Sequence, residues 1–315
     1  MMRTVTTSLF SLFLVFTLGS CGDTPALLES SAELDHPSFL WEVTKDDTQA
    51  WLFGTMHFTD PEVTNLGPEV HAALDAADAV FTEVEETPTS GAKVSQAGSL
   101  PPGESLASIV SQELLARLHG YLESRGLPAT SLDGLRPWMV SLQIGQLDAI
   151  PFMSNGVKLD VQIMHRAKQD GKEFGAIETI DEQLRALAFG STEEQVHLLS
   201  ISLDNLIEQQ AEGVNNVAQL RDLYLSGDGD MLWDFAMSET DLDDPIQNAW
   251  LNSILQERNT RMAQRIHARL QEHPNKSAFF AFGTLHFVGP NSVGEHLKSL
   301  GYTVTRVPHI FPEEL

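Results

Sequence analysis

The element Phe53-Gly54-Thr55-Met56-His57-Phe58 occurs again as Phe282-Gly283-Thr284-Leu285-His286-Phe287, identical at every position but the fourth. In both copies an apolar, strand-like run leads into the glycine. A glycine at a strand end permits backbone geometry closed to other residues. The threonine can satisfy exposed backbone groups there. The histidine then falls just past the strand's carboxyl end, where open α/β sheets place ligand crevices. Two such ends would bring His57 and His286 to one cleft. Two imidazoles and a carboxylate can bind a divalent metal and leave room for water, and the metal would make that water more acidic. Glu83, near the end of the strand after the first copy, is the best-placed carboxylate, as ligand or as general base. Glu85 and Glu86 compete for either role. The strand after the second copy ends Thr305-Arg306-Val307 and offers no acid, so the expected site is asymmetric. The plainer alternative is a duplication that kept a turn and a packing unit, with three acids facing solvent.

Glu257-Arg258-Asn259 precedes the second copy on a long helical stretch. Arg258 is a candidate for holding a substrate carboxylate or a developing oxyanion. Asn259 is a candidate for orienting water or substrate. Arg261 and Arg265 continue one helical face, and ordinary salt bridging on an acidic protein is the competing reading.

These groups need elements to hold them. Residues 39–43 and 50–53 predict a hairpin around Lys45–Thr48. A helix is expected over 68–77 and a strand over 79–85, whose alternation puts Ala79, Phe81, Glu83 and Glu85 on one face. Residues 86–103, rich in Pro, Gly, Ser and Thr, read as a loop. Helices are expected over 104–119, 137–151, 157–169, 180–189, 193–218 and 219–238, with a short strand at 173–177. Asp160 falls near the start of the third helix, and Glu178 just after the strand. The acidic run 239–244 reads as a solvated linker before a helix over 246–272, a strand over 276–282, a short helix over 293–299 and a strand over 302–307. The expected fold is α/β (or α+β): two related strand–Gly-Thr-X-His–helix–strand units form a mixed sheet core. A large helical region, 104–238, lies between them within one domain spanning 38–315.

Residues 1–20 carry one charge, Arg3, and an apolar run from Leu9 to Leu18, the pattern of a secretory signal peptide. Leu18-Gly19-Ser20-Cys21 resembles a lipoprotein lipobox. Cys21 is the only cysteine, and lipidation would remove a thiol that an oxidising compartment exposes to unwanted pairing. A free terminal cysteine is the alternative. Residues 21–37 then form a lipidated N-terminus and tether to a bilayer. Gly22 and Asp23 do not match an inner-membrane retention signal, so the expected place is a bacterial cell envelope, at the outer membrane facing the periplasm. The net charge of −25, from 19 basic and 44 acidic residues, argues against a nucleic-acid partner or broad adhesion to anionic lipid. There is no His-Glu-X-X-His, Gly-X-Ser-X-Gly or phosphate-loop motif. Gly227–Asp230 lacks calcium-loop spacing.

Taken together, Leu52–His57, Glu83, Leu135-Arg136-Pro137-Trp138, Gly156–Asp160, Ile177-Glu178-Thr179, Glu257–Asn259 and Phe282–His286 resemble the TraB/GumN family, which includes the Tiki and pheromone-shutdown proteins. The resemblance spans about 38–309. It implies a metalloprotease-like or related hydrolase scaffold, because Tiki members are described as divalent-metal-dependent proteases with paired Gly-X-X-His motifs. By that resemblance His57 and His286 are motif histidines, Glu83 is the glutamate after the first motif, and Arg258-Asn259 is the Arg-Asn pair. Asp160 answers to the aspartate of a Gly-Val-Asp element, here stretched to Gly156-Val157-Lys158-Leu159-Asp160. Glu178 answers to the glutamate of a Gly-Leu-Glu-Thr element, here Ala176-Ile177-Glu178-Thr179. Asp160 and Glu178 are expected to support the ligands rather than to be ligands. The implied cofactor is a divalent ion, Mn, Co or Zn, and the implied reaction is hydrolysis of a peptide or amide bond in a peptide or envelope substrate. A non-catalytic protein that sequesters a peptide signal or envelope component in the same cleft is the alternative.

Overall fold

The computed structural model describes residues 37–153, 156–238 and 240–310. The expected signal peptide, Cys21 and all but the last residue of the expected tether lie outside the described residues. The strands are β1 (Leu40–Lys45), β2 (Thr48–Thr55), β3 (Ala79–Thr82), β4 (Glu173–Ala176), β5 (Ala278–Gly283) and β6 (Thr303–Arg306). They form one sheet in the order β4-β3-β5-β2-β1-β6. The run β4-β3-β5-β2 is parallel, and β1 is antiparallel to both β2 and β6. The β1–β2 turn is two residues long and places Asp46 at φ 51°, a left-handed position that aspartate tolerates.

The helices are α1 (Pro61–Thr64), α2 (Pro68–Ala76), α3 (Pro88–Gly98), α4 (Gln112–Ser124), α5 (Pro137–Gly145), α6 (Leu159–Gln169) and α7 (Ile180–Leu187), followed by α8 (Thr192–Glu212), α9 (Asn216–Ser226), α10 (Gly229–Ser238), α11 (Pro245–Leu251), α12 (Glu257–Glu272) and α13 (Val293–Ser299). Strand alternation decides which helices cover which face. Phe53, Phe279 and Ala281 pack with Leu74 of α2 and Ile163 of α6 on one face. Leu52, Phe280 and Phe282 pack with Met262 and Ile266 of α12 and Leu297 of α13 on the other. Central β5 is therefore apolar on both sides, as a doubly covered parallel strand must be. Each fully buried phenylalanine contributes about 1.5–3 kcal/mol relative to an exposed one. The middle helices α4, α5 and α8 share a separate core. A further apolar cluster, with Phe39, Met56, Tyr224, Leu232 and Leu285, joins the helical middle to the carboxyl edge of the sheet.

The two motif strands, β2 and β5, are neighbours, Thr55 opposite Gly283. Their onward connections leave in opposite directions, β2 towards β3 and β5 towards β6. One passes over the α2 face and the other over the α13 face. Such a switch point leaves a crevice outside the carboxyl ends of the strands. The expected α/β core with an inserted helical region is thus observed. The two units are not side by side, however, because β5 lies between β2 and β3.

Several local expectations differ. Residues 86–103 are not all loop, because α3 starts at a reciprocal Thr87–Ser90 cap with Pro88 in its first turn. Few of its residues are large and apolar, so periodicity gave no signal. The strand over 79–85 stops at Thr82, which puts Glu83 just past the edge. The helix expected over 193–218 breaks at Gly213, and that over 219–238 at Gly227, both left-handed helix caps. The region 104–119 is a 3-10 turn followed by α4, and 137–151 is α5 followed by a second 3-10 turn. The stretch 246–272 is continuous helix with a π turn at Asn252–Gln256, immediately before Arg258.

Candidate active site

All four parallel strands deliver a predicted residue to the same edge. His57 follows β2, Glu83 follows β3, Glu178 follows β4, and His286 sits in a 3-10 turn after β5. Asp160 enters from the first turn of α6, and Arg258 and Asn259 from the first turns of α12.

The two glycines do different work from that expected, since neither has a positive φ. A Cβ on Gly54 would stand 2.9 Å from Thr284 Oγ1 and 3.0 Å from Phe39 Cβ, so this glycine is needed for close packing of β2. A Cβ on Gly283 would meet Glu83 Oε2 at 3.7 Å, His286 Cδ2 at 3.8 Å and His57 Nε2 at 4.0 Å. Those three side chains converge on the space that glycine leaves open. The threonines also diverge. Thr284 Oγ1 donates to the Thr55 carbonyl at 2.8 Å, tying the motif strands together, while Thr55 Oγ1 donates to Asp160 Oδ1 at 2.7 Å.

Both imidazoles are anchored through Nδ1. His57 Nδ1 lies 3.0 Å from Asp160 Oδ2, whose carboxylate can only accept when ionised, so Nδ1 carries the proton. His286 Nδ1 lies 2.6 Å from Asn259 Oδ1, and Asn259 Nδ2 donates to the Asn291 carbonyl at 3.0 Å. That second bond fixes the amide's orientation and hence the His286 tautomer. In the neutral forms Nε2 of each ring keeps its lone pair, the arrangement by which supporting residues aim histidine ligands. Burial, reinforced by Arg258, pushes the His286 pKa down to about 3, so its ring is neutral at ordinary pH. For His57, burial works against the charged form, but Asp160 and Glu83 outweigh it and the pKa is raised.

Glu83 is the hub. Burial opposes its ionisation, yet Arg258, His286 and His57 hold it well below the usual carboxylate range. Its Oε1 accepts from Arg258 Nη2 and, at 2.6 Å, from Gln183 Nε2. Its Oε2 accepts from the Gly283 N–H at 3.3 Å and faces His286 Nε2 at 3.9 Å. Arg258 is only 1% exposed and also binds Glu178 Oε2 through Nε and Nη2, at 2.8 and 2.7 Å. Arg261 takes the other Glu178 oxygen at 2.7 Å, and Arg265 pairs with Glu182. The arginine-rich face of α12 is therefore present and faces the acids around α7. Glu85 pairs with Lys168 at the surface, and Glu86 with Lys158.

A cavity of about 40 Å³ at this edge is lined by His57, Glu83, His286, Met56, Tyr224 and Leu232 among others. Arg258 and Asn259 are not among its lining residues; they lie behind Glu83 and His286, to which they are hydrogen-bonded. Sequence reasoning missed Gln183 and Tyr224. Gln183 was accessible in principle, because the Thr179–Glu182 capping box sets the start of α7 and so the position of the next residue. Tyr224, whose hydroxyl donates to the Gly54 carbonyl at 3.1 Å, had no local signal.

The donor chemistry fits a divalent ion: two imidazole Nε2 atoms with anchored Nδ1 partners and one ionised carboxylate, around a space free of side chain. Among the described residues, no three His, Asp, Glu or Cys groups yet stand at coordination spacing.

Fold and site together define an α/β protein with a two-histidine, one-glutamate constellation at a sheet switch point. The chain belongs to the TraB/PrgY/gumN family, whose sequence profile matches residues 39–306. Similar proteins include Metalloprotease TIKI2 of Danio rerio, 29% identical over 95% of this chain and 67% of that protein. Metalloprotease TIKI1 of Xenopus tropicalis and that of Homo sapiens are each 27% identical, over 86% of this chain and 62% of theirs. The chain thus spans about two thirds of the length of these relatives. No solved structure matches it.

Proposed function

We propose that this protein is a divalent-metal-dependent hydrolase of peptide or amide bonds, lipid-anchored through Cys21 at a bacterial cell envelope, on the periplasmic face of the outer membrane. The observation that carries the reading is the convergence of His57 Nε2, His286 and Glu83 on the open position beside Gly283. The relatives named metalloproteases support it. His57, His286 and Glu83 would hold the ion. When bound, a divalent ion supplies Lewis acidity, polarising a carbonyl and making a water more acidic.

The chain's own residues do the rest. Asp160 and Asn259 keep a proton on each Nδ1 and so leave each Nε2 to the site. Arg258 favours the ionised form of Glu83, and together with Gln183 it keeps the carboxylate turned so that Oε2 faces the cavity, ready to ligate or to take a proton from water. Arg258 is a positioning residue, its charge consumed by Glu83 and Glu178. Tyr224, Leu232 and Met56 give the cavity an apolar wall that excludes bulk water.

A second reading, a non-catalytic protein that sequesters a peptide signal or envelope component, draws on the small cavity and on the lack, among the described residues, of three donors at coordination spacing. Elemental analysis after mild purification separates the two. Stoichiometric Mn, Co or Zn, lost in folded His57→Ala and His286→Ala, together with cleavage of a peptide library, supports the hydrolase. A folded protein that takes up none of the three ions when each is supplied overturns it in favour of sequestration.

A further inference from the structure

Behind His57 and Glu83 lies a second cavity of about 20 Å³, lined by His57, Glu83, Asp160, Lys158, Glu86 and Gln183 among others. Gln183 sits on α7 and is 2% exposed. Its Nε2 donates to Glu83 Oε1 at 2.6 Å, whereas its own Oε1 is buried and has no hydrogen-bond partner among the described residues. The amide cannot be relieved by flipping. A flip would set its oxygen against a carboxylate oxygen that Arg258 keeps ionised, replacing a charge-assisted bond by repulsion. An unsatisfied buried amide oxygen is costly, so the arrangement needs a counterpart.

We infer that Gln183 is a positioning residue for Glu83, and that its Oε1 anchors a single buried water in the cavity behind His57. The space matches one water, and Lys158, Glu86 and Asp160 provide polar wall beside Gln183 for its remaining bonds. Gln183 and Arg258 grip the same oxygen of Glu83 from two elements, α7 and α12. With Oε1 held twice, the carboxylate cannot rotate, and Oε2 is the oxygen that faces the site. Arg258, with His286 and His57, fixes the charge. Gln183 fixes the plane of the group. The water's role is to let Gln183 keep that orientation inside the protein, where otherwise its carbonyl would favour a rotamer that releases Glu83.

The inference rests on the proposed metal site for its consequence but not for its test. A crystal structure of the metal-free wild-type protein should show a water within about 3 Å of Gln183 Oε1. A metal-free structure of Gln183→Met should show the Glu83 carboxylate turned away from the Gly283 N–H. Titration with Mn²⁺ alone should then show Kd raised about 10–100-fold in Gln183→Met, as for loss of a group supporting a ligand, with Tm within a few degrees of wild type. If Gln183→Met does not fold, Gln183→Leu, which likewise carries no donor, takes its place in both measurements. A Glu83 carboxylate unmoved in the variant overturns the positioning role, whether or not metal binds. A dry cavity in the wild type overturns the water anchor. Wild-type protein that binds no Mn²⁺, with Glu83 displaced in the variant, overturns the metal reading for this ion and leaves the positioning role standing.

Discussion

The two copies of the repeated element should respond in opposite ways to the same substitution, glycine to alanine. At Gly283 the new methyl carbon lands 3.7–4.0 Å from Glu83, His286 and His57, ordinary van der Waals distances, and φ is −52°. Nothing must move, and alanine removes backbone freedom from the unfolded chain, so Gly283→Ala should stabilise by about 0.4–1 kcal/mol. At about 2–4 °C per kcal/mol for a domain of this size, Tm should rise by about 1–4 °C. The methyl nonetheless fills the space the three donors face. An ion bonded at about 2.0–2.2 Å to those donors and a methyl group cannot share it, so affinity for Mn²⁺, Co²⁺ or Zn²⁺ should fall by at least about 100-fold, or about 2.7 kcal/mol. At Gly54 the methyl would instead stand 2.9 Å from Thr284 Oγ1 and 3.0 Å from Phe39 Cβ, both on packed elements. Overpacking of this kind costs about 1–3 kcal/mol, so Gly54→Ala should lower Tm by about 2–12 °C. Calorimetric unfolding of the metal-free proteins, with metal titration of each, measures both. Gly283→Ala binding metal like wild type would show that the ion does not sit where these side chains converge. Equal destabilisation by the two variants would refute the steric distinction between the copies.

Three further outcomes follow from the same geometry. Arg258→Met leaves Glu83 and Glu178 buried without their shared cation and should cost about 3–5 kcal/mol in urea unfolding. Adding Glu178→Gln should recover part of that loss, and a fully stable Arg258→Met would contradict the ion-pair assignment. Asp160→Asn weakens the anchor of the His57 ring and should lower metal affinity about 10–100-fold, read by calorimetric titration, with Thr55 also losing a charged acceptor. Asp244 caps α11 and binds His197; burial opposes its ionisation, but His197 and the Ile246 and Gln247 N–H groups depress its pKa. Its contribution is therefore present above the unfolded carboxylate pKa and is lost as pH falls through the lower folded value. The stability gap between wild type and Asp244→Ala, about 1 kcal/mol at pH 7, should narrow below about pH 4, and a gap independent of pH would refute the charge assignment.

Much of the site was readable along the chain because its signals are local. A glycine, threonine and histidine after an apolar run mark a strand exit, and the same pattern twice marks two. Strand alternation put Glu83 on one face with Ala79 and Phe81, and helical spacing put Arg258, Arg261 and Arg265 on one side of α12. The approximate place of Glu83 followed from the end of its strand. The roles within the set were not local. Arg258 and Asn259 are adjacent in sequence and looked equally suited to meet substrate. Only the packing of α12 against the sheet shows that one neutralises two glutamates and the other orients His286. Thr55 and Thr284 occupy the same position of the same motif, yet one serves Asp160 and the other the neighbouring strand. The deciding event is the insertion of β5 between β2 and β3, a pairing across about 200 residues of chain. Strand order depends on long-range packing that no residue's neighbours in sequence encode. It brings Glu83 against Gly283 and Arg258, brings Gln183 within reach of Glu83, and makes one edge out of two separate copies.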